Sequence, residues 1–246
     1  MEVYGSSDIG LTREINEDSY FYGTNNKKEF CAAVFDGIGG SAAGEVASDM
    51  ARRILKEQFS KAPLFNKDYE VDEWLRLVLT RANDAIFTKS MWSKKNRGMG
   101  TTAVGTLILN IGTYIFNAGD SRLYALYDDG LIQMSEDHSV VQNLVNQHKI
   151  TPEEALTHEK RNVLTNALGV WKFFKIDINK IKRDWKALLI CSDGLSSYVK
   201  EEHIAKVMQA DLSAQQKVEF LIQMAEEAGG HDNCTVIVIQ KEPDDA

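Results

Sequence analysis

The sequence predicts an α+β fold in which two mainly antiparallel sheets pack face to face and helices cover their outer sides. The predicted strands occur in blocks joined by short polar connections, which are typical of antiparallel pairing. Helices separate these blocks instead of following every strand. Several strands, AVGTLIL, ALLIC and TVIVI, are apolar on both faces. A sheet that contacts a second sheet on one side and helices on the other buries both faces, so the pattern favours this architecture.

The N-terminal part is predicted to contain two strands followed by two helices. The strands cover 19–22 and 30–35, with the turn GTNNKKE between them. A helix from Ser41 to about Phe59 follows, because its apolar residues recur at spacings of three and four. Ser41 is the predicted N-cap of this helix. A second helix with an apolar face is predicted over about 69–90.

The middle of the chain changes to a pattern of strands. Two connections, Asn110-Ile111-Gly112 and Asp128-Asp129-Gly130, are hairpin signals because they are short, polar and contain glycine. They join neighbours within a group of four predicted strands, at 103–109, 113–118, 122–127 and 131–135.

The C-terminal part mixes helices and strands. Residues 139–158 are predicted to be helical in two pieces, and Thr151, Pro152 and Glu154 form the capping box that starts the second piece. The remaining predicted elements are strands at 173–178 and 187–192, helices at about 200–209 and 213–228, and a last strand at 234–240.

Length and composition predict a single domain over residues 1–246. The chain is 43% hydrophobic and 26% charged, which is ordinary for a soluble globular protein. No apolar run approaches the roughly 18 residues that a membrane helix needs, and the start MEVYGSSDIG lacks the features of a secretory signal. We therefore expect a cytoplasmic protein with no membrane contact, and a monomer by default.

The acidic balance and the cysteines argue against several kinds of site. The formal net charge is −8, which makes the chain a poor binder of nucleic acid. Cys31, Cys191 and Cys234 lie inside apolar runs, their number is odd, and no CxxC pair occurs. This pattern argues against a disulfide framework or a zinc site and predicts three buried cysteines.

Four aspartates lie where an apolar run meets a turn, namely Asp36, Asp120, Asp193 and Asp232. The pair Glu17–Asp18 adds two more carboxylates near the N-terminus. Any one of these aspartates alone is more often a turn or cap residue. Carboxylates are also the hard oxygen ligands that Mg²⁺ and Mn²⁺ prefer. If the turns converge, the sequence predicts a metal site and metal-assisted chemistry.

Eight ordered segments resemble the metal-dependent protein phosphatases (PPM, protein phosphatase 2C), specifically the bacterial-type serine/threonine phosphatases. The segments are SDIGLTREINEDS (7–19), VFDGIGGSAAGEVAS (34–48), GMGTTAV (98–104), NAGDSRLY (117–124), SEDHSVV (135–141), NVLTNALG (162–169), LLICSDGL (188–195) and GGHDNCTVIVI (229–239). One Asp-Gly would carry no weight because it is a common turn. The resemblance implies a four-layer α-β-β-α sandwich, which agrees with the packed sheets predicted above.

The resemblance implies a centre of two to three Mn²⁺ or Mg²⁺ ions. Asp36 would bridge two ions, and the backbone carbonyl of Gly37 would ligate one of them. Glu17 would hold a water on that same ion. Asp193 and Asp232 would ligate the other ion.

Further roles are implied around this centre. Asp120, together with Asp193, would contribute to a third metal position, and Asp18 would stand behind the ligands. Arg13 would bind the substrate phosphate, because the guanidinium group of arginine can donate bidentate hydrogen bonds to a phosphate monoester. The stretch from Ser139 to about Leu168 would be a flap beside the active site that is linked to substrate choice.

The implied reaction is hydrolysis of phosphoserine and phosphothreonine in proteins. Two metals would lower the pKa of a bridging water, and the resulting hydroxide would attack phosphorus in line. Asp36 and Arg13 are the predicted catalytic residues. The expected partners are phosphorylated proteins, a cognate serine/threonine kinase that the enzyme opposes, and the substrates of that kinase.

The chain departs from the family where a general acid is expected. Some members have a histidine just after the glycine that follows the bridging aspartate, and others have one after the double glycine; here these residues are Ile38 and Ser41. The donor of the leaving-group proton is therefore open, and a water near Asp120 is favoured. His138, in EDHS, is interpreted as structural.

Two other functions stay open at this point. The same fold could serve as a binding module without activity, and loss of metal ligands would favour that alternative. Asp36, Asp193 and Asp232 are all present, which favours the enzyme. A phosphatase acting mainly on a small phosphate ester is the third possibility, because a metal-held phosphate site does not exclude it.

Overall fold

A computed structural model describes residues 1–39 and 43–242. The predicted N-cap Ser41 lies outside the described residues. Two five-stranded sheets, both antiparallel throughout, form the centre of the molecule. No helix in the described part of the chain is both long and apolar enough to span a membrane.

The first sheet contains both the first and the last strand of the described chain. Its spatial order is β1 (Glu2–Asp8), β12 (Cys234–Gln240), β11 (Ala187–Cys191), β8 (Arg122–Tyr127) and β9 (Gly130–Gln133).

The second sheet is built mainly from the N-terminal half. Its order is β10 (Asp177–Ile181), β7 (Gly112–Ala118), β6 (Ala103–Leu109), β3 (Phe30–Phe35) and β2 (Ser19–Thr24). A short two-stranded pair, β4 (Gly37–Ile38) and β5 (Gly100–Thr101), lies beside it.

The helices lie mainly outside the two sheets. Those packed on the second sheet are α1 (Ala43–Ser60) and α2 (Asp68–Trp92), and those on the first are α6 (Glu201–Gln209) and α7 (Ala214–Glu227). Shorter helices are α3 (Val140–Asn146), α4 (Pro152–Ala155), α5 (Asp193–Ser196) and a 3₁₀ turn at Lys94–Asn96. The predicted α+β sandwich of four layers, α-β-β-α, is confirmed.

Strand β3 shows why these strands are apolar on both faces. Side chains alternate along a strand, so successive residues point to opposite sides. Ala33 and Phe35 join the core between the second sheet and its helices. Ala32 and Val34 join the core between the two sheets. All four are fully buried, so an apolar residue is required at every position.

Both predicted hairpins are present with two-residue turns. In β6–β7, Leu109 pairs with Gly112, and in β8–β9, Tyr127 pairs with Gly130. The predicted helical pieces of 139–158 correspond to α3 and α4. The capping box of α4 is also present: the hydroxyl of Thr151 accepts from Glu154 N–H, and the Glu154 carboxylate accepts from Thr151 N–H.

One strand prediction is mostly wrong, and one long strand was not predicted. Strand β10 begins at Asp177, so most of the predicted strand 173–178 is irregular chain. The irregular stretch instead lies against α2, where the Arg76 side chain donates to the carbonyl of Ile176. The side chain of Phe173 is 83% exposed. Strand β1 was not predicted, and it forms because it pairs along its whole length with β12.

The three cysteines are free and buried, as predicted. His138 is also buried: its Nδ1 accepts from the N–H of Gly119 and lies 2.9 Å from Asn166 Nδ2, and its Nε2 lies 2.9 Å from Asp177 Oδ2. These contacts agree with the structural role predicted for His138.

Candidate active site

A polar pocket of about 230 Å³ lies where turns from both sheets meet. The structure brings seven of the predicted site residues together on its walls, namely Arg13, Glu17, Asp36, Gly37, Asp120, Asp193 and Asp232. The other pocket-lining residues are Ile38, Gly39, Thr102, Asn162, Leu164 and Asn233.

Antiparallel topology explains the convergence of the four aspartates. Strands β3 and β7 both pair with β6, so they run in the same direction, and Asp36 and Asp120 follow their C-terminal ends. Strand β11 runs opposite to β12, so Asp193, after β11, lies near Asp232, before β12. Each aspartate therefore leaves its strand at the edge of the sheet that borders the pocket.

The backbone around Asp36 is fixed by two threonines. Its N–H donates to Thr102 Oγ1 at 3.0 Å, and its carbonyl accepts from Thr101 Oγ1 at 2.9 Å and from Thr102 N–H at 2.8 Å. The carboxyl group is left to face the pocket. Burial raises its pKa well above the usual value of 3.8, and the charges of Asp18 and Asp193 raise it further.

Glu17 is held against the start of helix α1. The N–H of Gly44 donates to Glu17 Oε1 at 3.0 Å. Burial raises the pKa of Glu17, and this hydrogen bond and the charge of Arg13 oppose the increase. Gly37 permits the close approach, because a Cβ there would lie 2.4 Å from the carbonyl oxygen of Glu17 and 2.5 Å from the backbone of Gly44.

Asp18 lies behind the pocket and joins three chain segments. Its Oδ2 accepts hydrogen bonds from Ser192 Oγ at 2.7 Å and Thr235 Oγ1 at 2.6 Å. Burial nevertheless raises the pKa of Asp18 to about 7, because these hydroxyls only partly offset the loss of water. Ser192 and Thr235 were not singled out from the sequence.

The remaining carboxyl groups repel one another. Burial raises the pKa of Asp193 to about 6, and the charge of Asp232 is the second cause of this increase. A hydrogen bond with Asp36 opposes the increase. Burial is also the main cause that raises the pKa of Asp120 well above its usual value, and the charge of Asp193 raises it further. A divalent cation in the pocket would offset this mutual repulsion.

Asn233 fixes the loop that carries Arg13 and Glu17, and the sequence interpretation gave it no role. Its Nδ2 donates to the carbonyls of Ile9, at 2.9 Å, and Ile15, at 3.1 Å. Its Oδ1 accepts from the N–H of Glu17 at 2.9 Å. Asn233 is 5% exposed, so these contacts are shielded from water. Its position directly after Asp232 was the only signal in the sequence.

The donor set fits hard divalent cations. The pocket offers carboxylates and the backbone of Gly37, and its walls carry no sulfur or imidazole ligand. Within residues 1–39 and 43–242, no group of three or more His, Cys, Asp or Glu side chains meets around one metal position. Mg²⁺ commonly takes only one or two carboxylates and keeps several waters, so a pocket lined by separate carboxylates suits it.

Two features bear on the missing general acid. Ile38 lines the pocket with an aliphatic side chain, and Ser41 lies outside the described residues. His231 is exposed and contacts the ring of Tyr198 at 5.3 Å between centroids, but it is absent from the pocket lining.

A larger cavity of about 870 Å³, lined by Trp185 and its neighbours, contains none of the predicted site residues.

Comparison with known proteins agrees with this geometry. A family model described as protein phosphatase 2C matches residues 11–232. The chain is 33% identical over 236 residues to the serine/threonine phosphatase stp of Listeria innocua, covering 96% of this chain and 94% of that protein. It is 30% identical over 247 residues to the protein phosphatase PhpP of Streptococcus pneumoniae, covering 100% of both. The crystal structure of serine/threonine phosphatase Stp1 from Staphylococcus aureus superimposes with a TM-score of 0.91 at 32% identity, covering 98% of this chain and 95% of that one.

Proposed function

Because the chain belongs to the protein phosphatase 2C family and is a protein-serine/threonine phosphatase, we propose that it removes phosphate from phosphoserine and phosphothreonine in proteins with the help of bound Mn²⁺ or Mg²⁺. Two to three ions would occupy the pocket that Asp36 lines. In this role the enzyme opposes a serine/threonine kinase and acts on the proteins which that kinase phosphorylates.

The observation that supports this proposal most directly is the convergence of five carboxyl groups from distant parts of the chain. Glu17 precedes β2, and the four aspartates lie at the ends of four other strands. Burying so many acids together is unfavourable without a compensating charge, as the raised pKa values of Asp36, Asp120 and Asp193 indicate. A cation-binding role explains why the fold gathers them.

The proposed ligands follow the positions of these groups. Asp36 would bridge two ions, with Gly37 and a water held by Glu17 completing the sphere of one. Asp193 and Asp232 would ligate the second ion. Asp120 and Asp193 would contribute to a third. Asp18 would orient the turns that carry these ligands, through the hydroxyls of Ser192 and Thr235.

When bound, two such ions would stabilise charge on the phosphate and activate a water for in-line attack on phosphorus. Arg13 would bind and orient the phosphate oxygens with its guanidinium group. Asn233 would keep Arg13 and Glu17 in position by fixing their loop. With Ile38 unable to donate a proton, the leaving oxygen would receive one from water on the Asp120 side of the pocket.

The proposal is tested by measuring phosphate release from a phosphothreonine peptide, first with Mn²⁺ or Mg²⁺ and then with excess EDTA. We expect activity that requires the metal and is lost on chelation. Folded protein that stays inactive with every divalent metal would instead indicate a binding module. Cytoplasmic location and the monomeric state stay predictions from the sequence.

A further inference from the structure

A second pocket of about 370 Å³ continues from the candidate active site. The two pockets share Asp120, Asn162 and Asp193 on their walls. The second pocket extends from there between the segment 139–162 and helices α5 and α6. We call it the side groove. Because the two pockets share these walls, a polymer bound at the catalytic pocket can extend into the groove.

One wall of the side groove is apolar and comes from helices α3 and α4 and the residue after α4. Its apolar residues are Val141, Val145, Pro152, Ala155 and Leu156. Leu156 is 71% exposed, although it lies on the groove. Because Leu156 adjoins the other apolar residues of this wall, together they form an apolar surface beside the candidate active site, and such a surface is suited to contact a ligand.

The opposite wall is polar and acidic. Ser196, Ser197 and Glu201 lie on it, next to the pair Arg122–Asp137. That pair is internally neutralised, because the guanidinium contacts both carboxylate oxygens, with Arg122 Nη2 and Asp137 Oδ2 2.7 Å apart. Its charges are therefore not available to an incoming ligand.

Three charged side chains of the groove belong neither to the Arg122–Asp137 pair nor to the candidate metal ligands, namely Glu153, Arg161 and Glu201. Arg161 lies close enough to Tyr198 and the catalytic pocket to influence the pKa of that tyrosine, together with Arg13. Glu153 and Glu201 are exposed, and neither is in an ion pair within the described chain. Apart from the candidate metal ligands and the Arg122–Asp137 pair, the groove therefore has two acidic groups against one arginine, Arg161, and an excess of negative charge.

We propose that the side groove binds the part of a phosphoprotein that flanks the phosphorylated residue, and that it favours an aliphatic side chain together with a lysine or arginine. The apolar wall would take the aliphatic side chain, and Glu201 and Glu153 would attract the basic group. This inference rests on the proposed function. The walls that the two pockets share and the excess of acidic charge in the groove favour a basic peptide segment as the occupant.

The test compares two phosphothreonine peptides that differ only in the residues on both sides of the phosphothreonine. One peptide carries leucine and lysine, and the other carries serine and glutamate. Hydrolysis of p-nitrophenyl phosphate, which has no flanking residues, gives the basal activity. For the unmodified enzyme we expect kcat/KM to favour the leucine–lysine peptide by about 10-fold.

Two variants change the two walls of the groove. Leu156→Asp and Glu201→Lys should each lower the preference for the leucine–lysine peptide, Glu201→Lys by about 3-fold. Both should leave p-nitrophenyl phosphate hydrolysis unchanged, because neither side chain lines the catalytic pocket. Leu77→Asp, on an exposed position of α2, and Glu202→Lys, next to Glu201 but outside the groove, are matched controls.

The outcomes distinguish this inference from the proposed function. Normal hydrolysis of all substrates with the same flank preference in Glu201→Lys, Leu156→Asp and the controls would overturn the side groove alone. Absence of hydrolysis of every substrate by folded, metal-supplied enzyme would overturn the proposed function and this inference with it. Loss of preference only in the two groove variants would support both.

Discussion

Arg13 and Asp232 form an ion pair, with Arg13 Nη2 2.8 Å from Asp232 Oδ2. The other oxygen of Asp232 accepts the N–H of Asn233 at 2.9 Å. The proposed phosphate-binding residue and a proposed metal ligand are therefore in contact. Half of the guanidinium side chain remains exposed, so it can also reach a ligand in the pocket.

The first prediction concerns the two possible roles of Arg13. Arg13→Lys keeps the positive charge but cannot donate bidentate hydrogen bonds to the phosphate. The kcat/KM for a phosphothreonine peptide should therefore fall about 10- to 100-fold. Mn²⁺ affinity, measured by calorimetry, should change little. If metal affinity falls while KM for the peptide is unchanged, Arg13 serves only to hold Asp232. Arg53→Lys, on the exposed side of α1, is the control.

The second prediction concerns Asn233. Asn233→Ala removes three hydrogen bonds that fix the loop carrying Arg13 and Glu17. The free energy of unfolding should fall by about 2–4 kcal/mol, and kcat/KM should fall about 10- to 100-fold, as for residues that orient metal ligands. The exposed Asn179 offers a control as Asn179→Ala. Unchanged Mn²⁺ affinity and activity in Asn233→Ala would show that the loop keeps its position without this side chain.

The third prediction links pH, metal and stability. The pKa of Asp18 is about 7 and that of Asp193 about 6, against 3.8 for an ordinary aspartate. The metal-free folded protein therefore binds more protons than the unfolded chain over this range, and its stability decreases as the pH rises from about 4 to about 7. Added Mn²⁺ should oppose the decrease, because it favours the charged carboxylates and binds only the folded state.

Scanning calorimetry between about pH 5 and 7.5 checks this prediction. In EDTA the melting temperature should fall with increasing pH, and Mn²⁺ should raise it most at the upper end. Asp36→Asn should weaken both effects, whereas Asp128→Asn, at an exposed turn, should not. A melting temperature in EDTA that rises over the same interval would contradict the proposed burial of these acids.

The fourth prediction compares two glycines with nearly the same backbone conformation. Gly10 has φ +76° and Gly98 has φ +78°, so alanine is strained at both positions. At Gly10 the added Cβ would also lie 2.4 Å from the carbonyl oxygen of Asp232, whereas at Gly98 no atom of the described residues lies within 4 Å. We expect Gly98→Ala to cost about 1 kcal/mol and to keep activity.

Gly10→Ala should be more destabilising, by about 2–4 kcal/mol. It should also reduce activity, because the Asp232 turn must move to make room. Denaturant unfolding and phosphate release, measured on both variants, test this difference. Equal effects of the two substitutions would mean that the loop at Gly10 and the turn at Asp232 are not in contact in solution.

The sequence predicted the strands whose residues are buried on both faces, because such runs have few alternatives. It failed for β1, where EVYGSSD has only a short apolar stretch and the strand depends on backbone pairing with β12. It also failed at the start of FFKIDI, where Phe174 and Ile176 join the core that contains α2 without entering a sheet, and Phe173 is exposed. Both failures involve contacts between residues far apart in the sequence.

The site shows the same division. The four aspartates could be found because each follows or precedes an apolar strand, and their convergence follows from antiparallel topology. Asn233, Ser192 and Thr235 could not be found in this way. Their contribution is a hydrogen bond to a distant segment, and nothing in the local pattern of residues indicates such a partner.

The pairing of β1 with β12 also has a consequence for synthesis on the ribosome. Glu2 pairs with Gln240 and Asp8 with Cys234, and the loop that carries Arg13 is fixed by Asn233. A nascent chain keeps its first strand unpaired until the last one emerges. The pocket is therefore assembled only after β12 has been made, and nascent chains that stop short of β12 lack it.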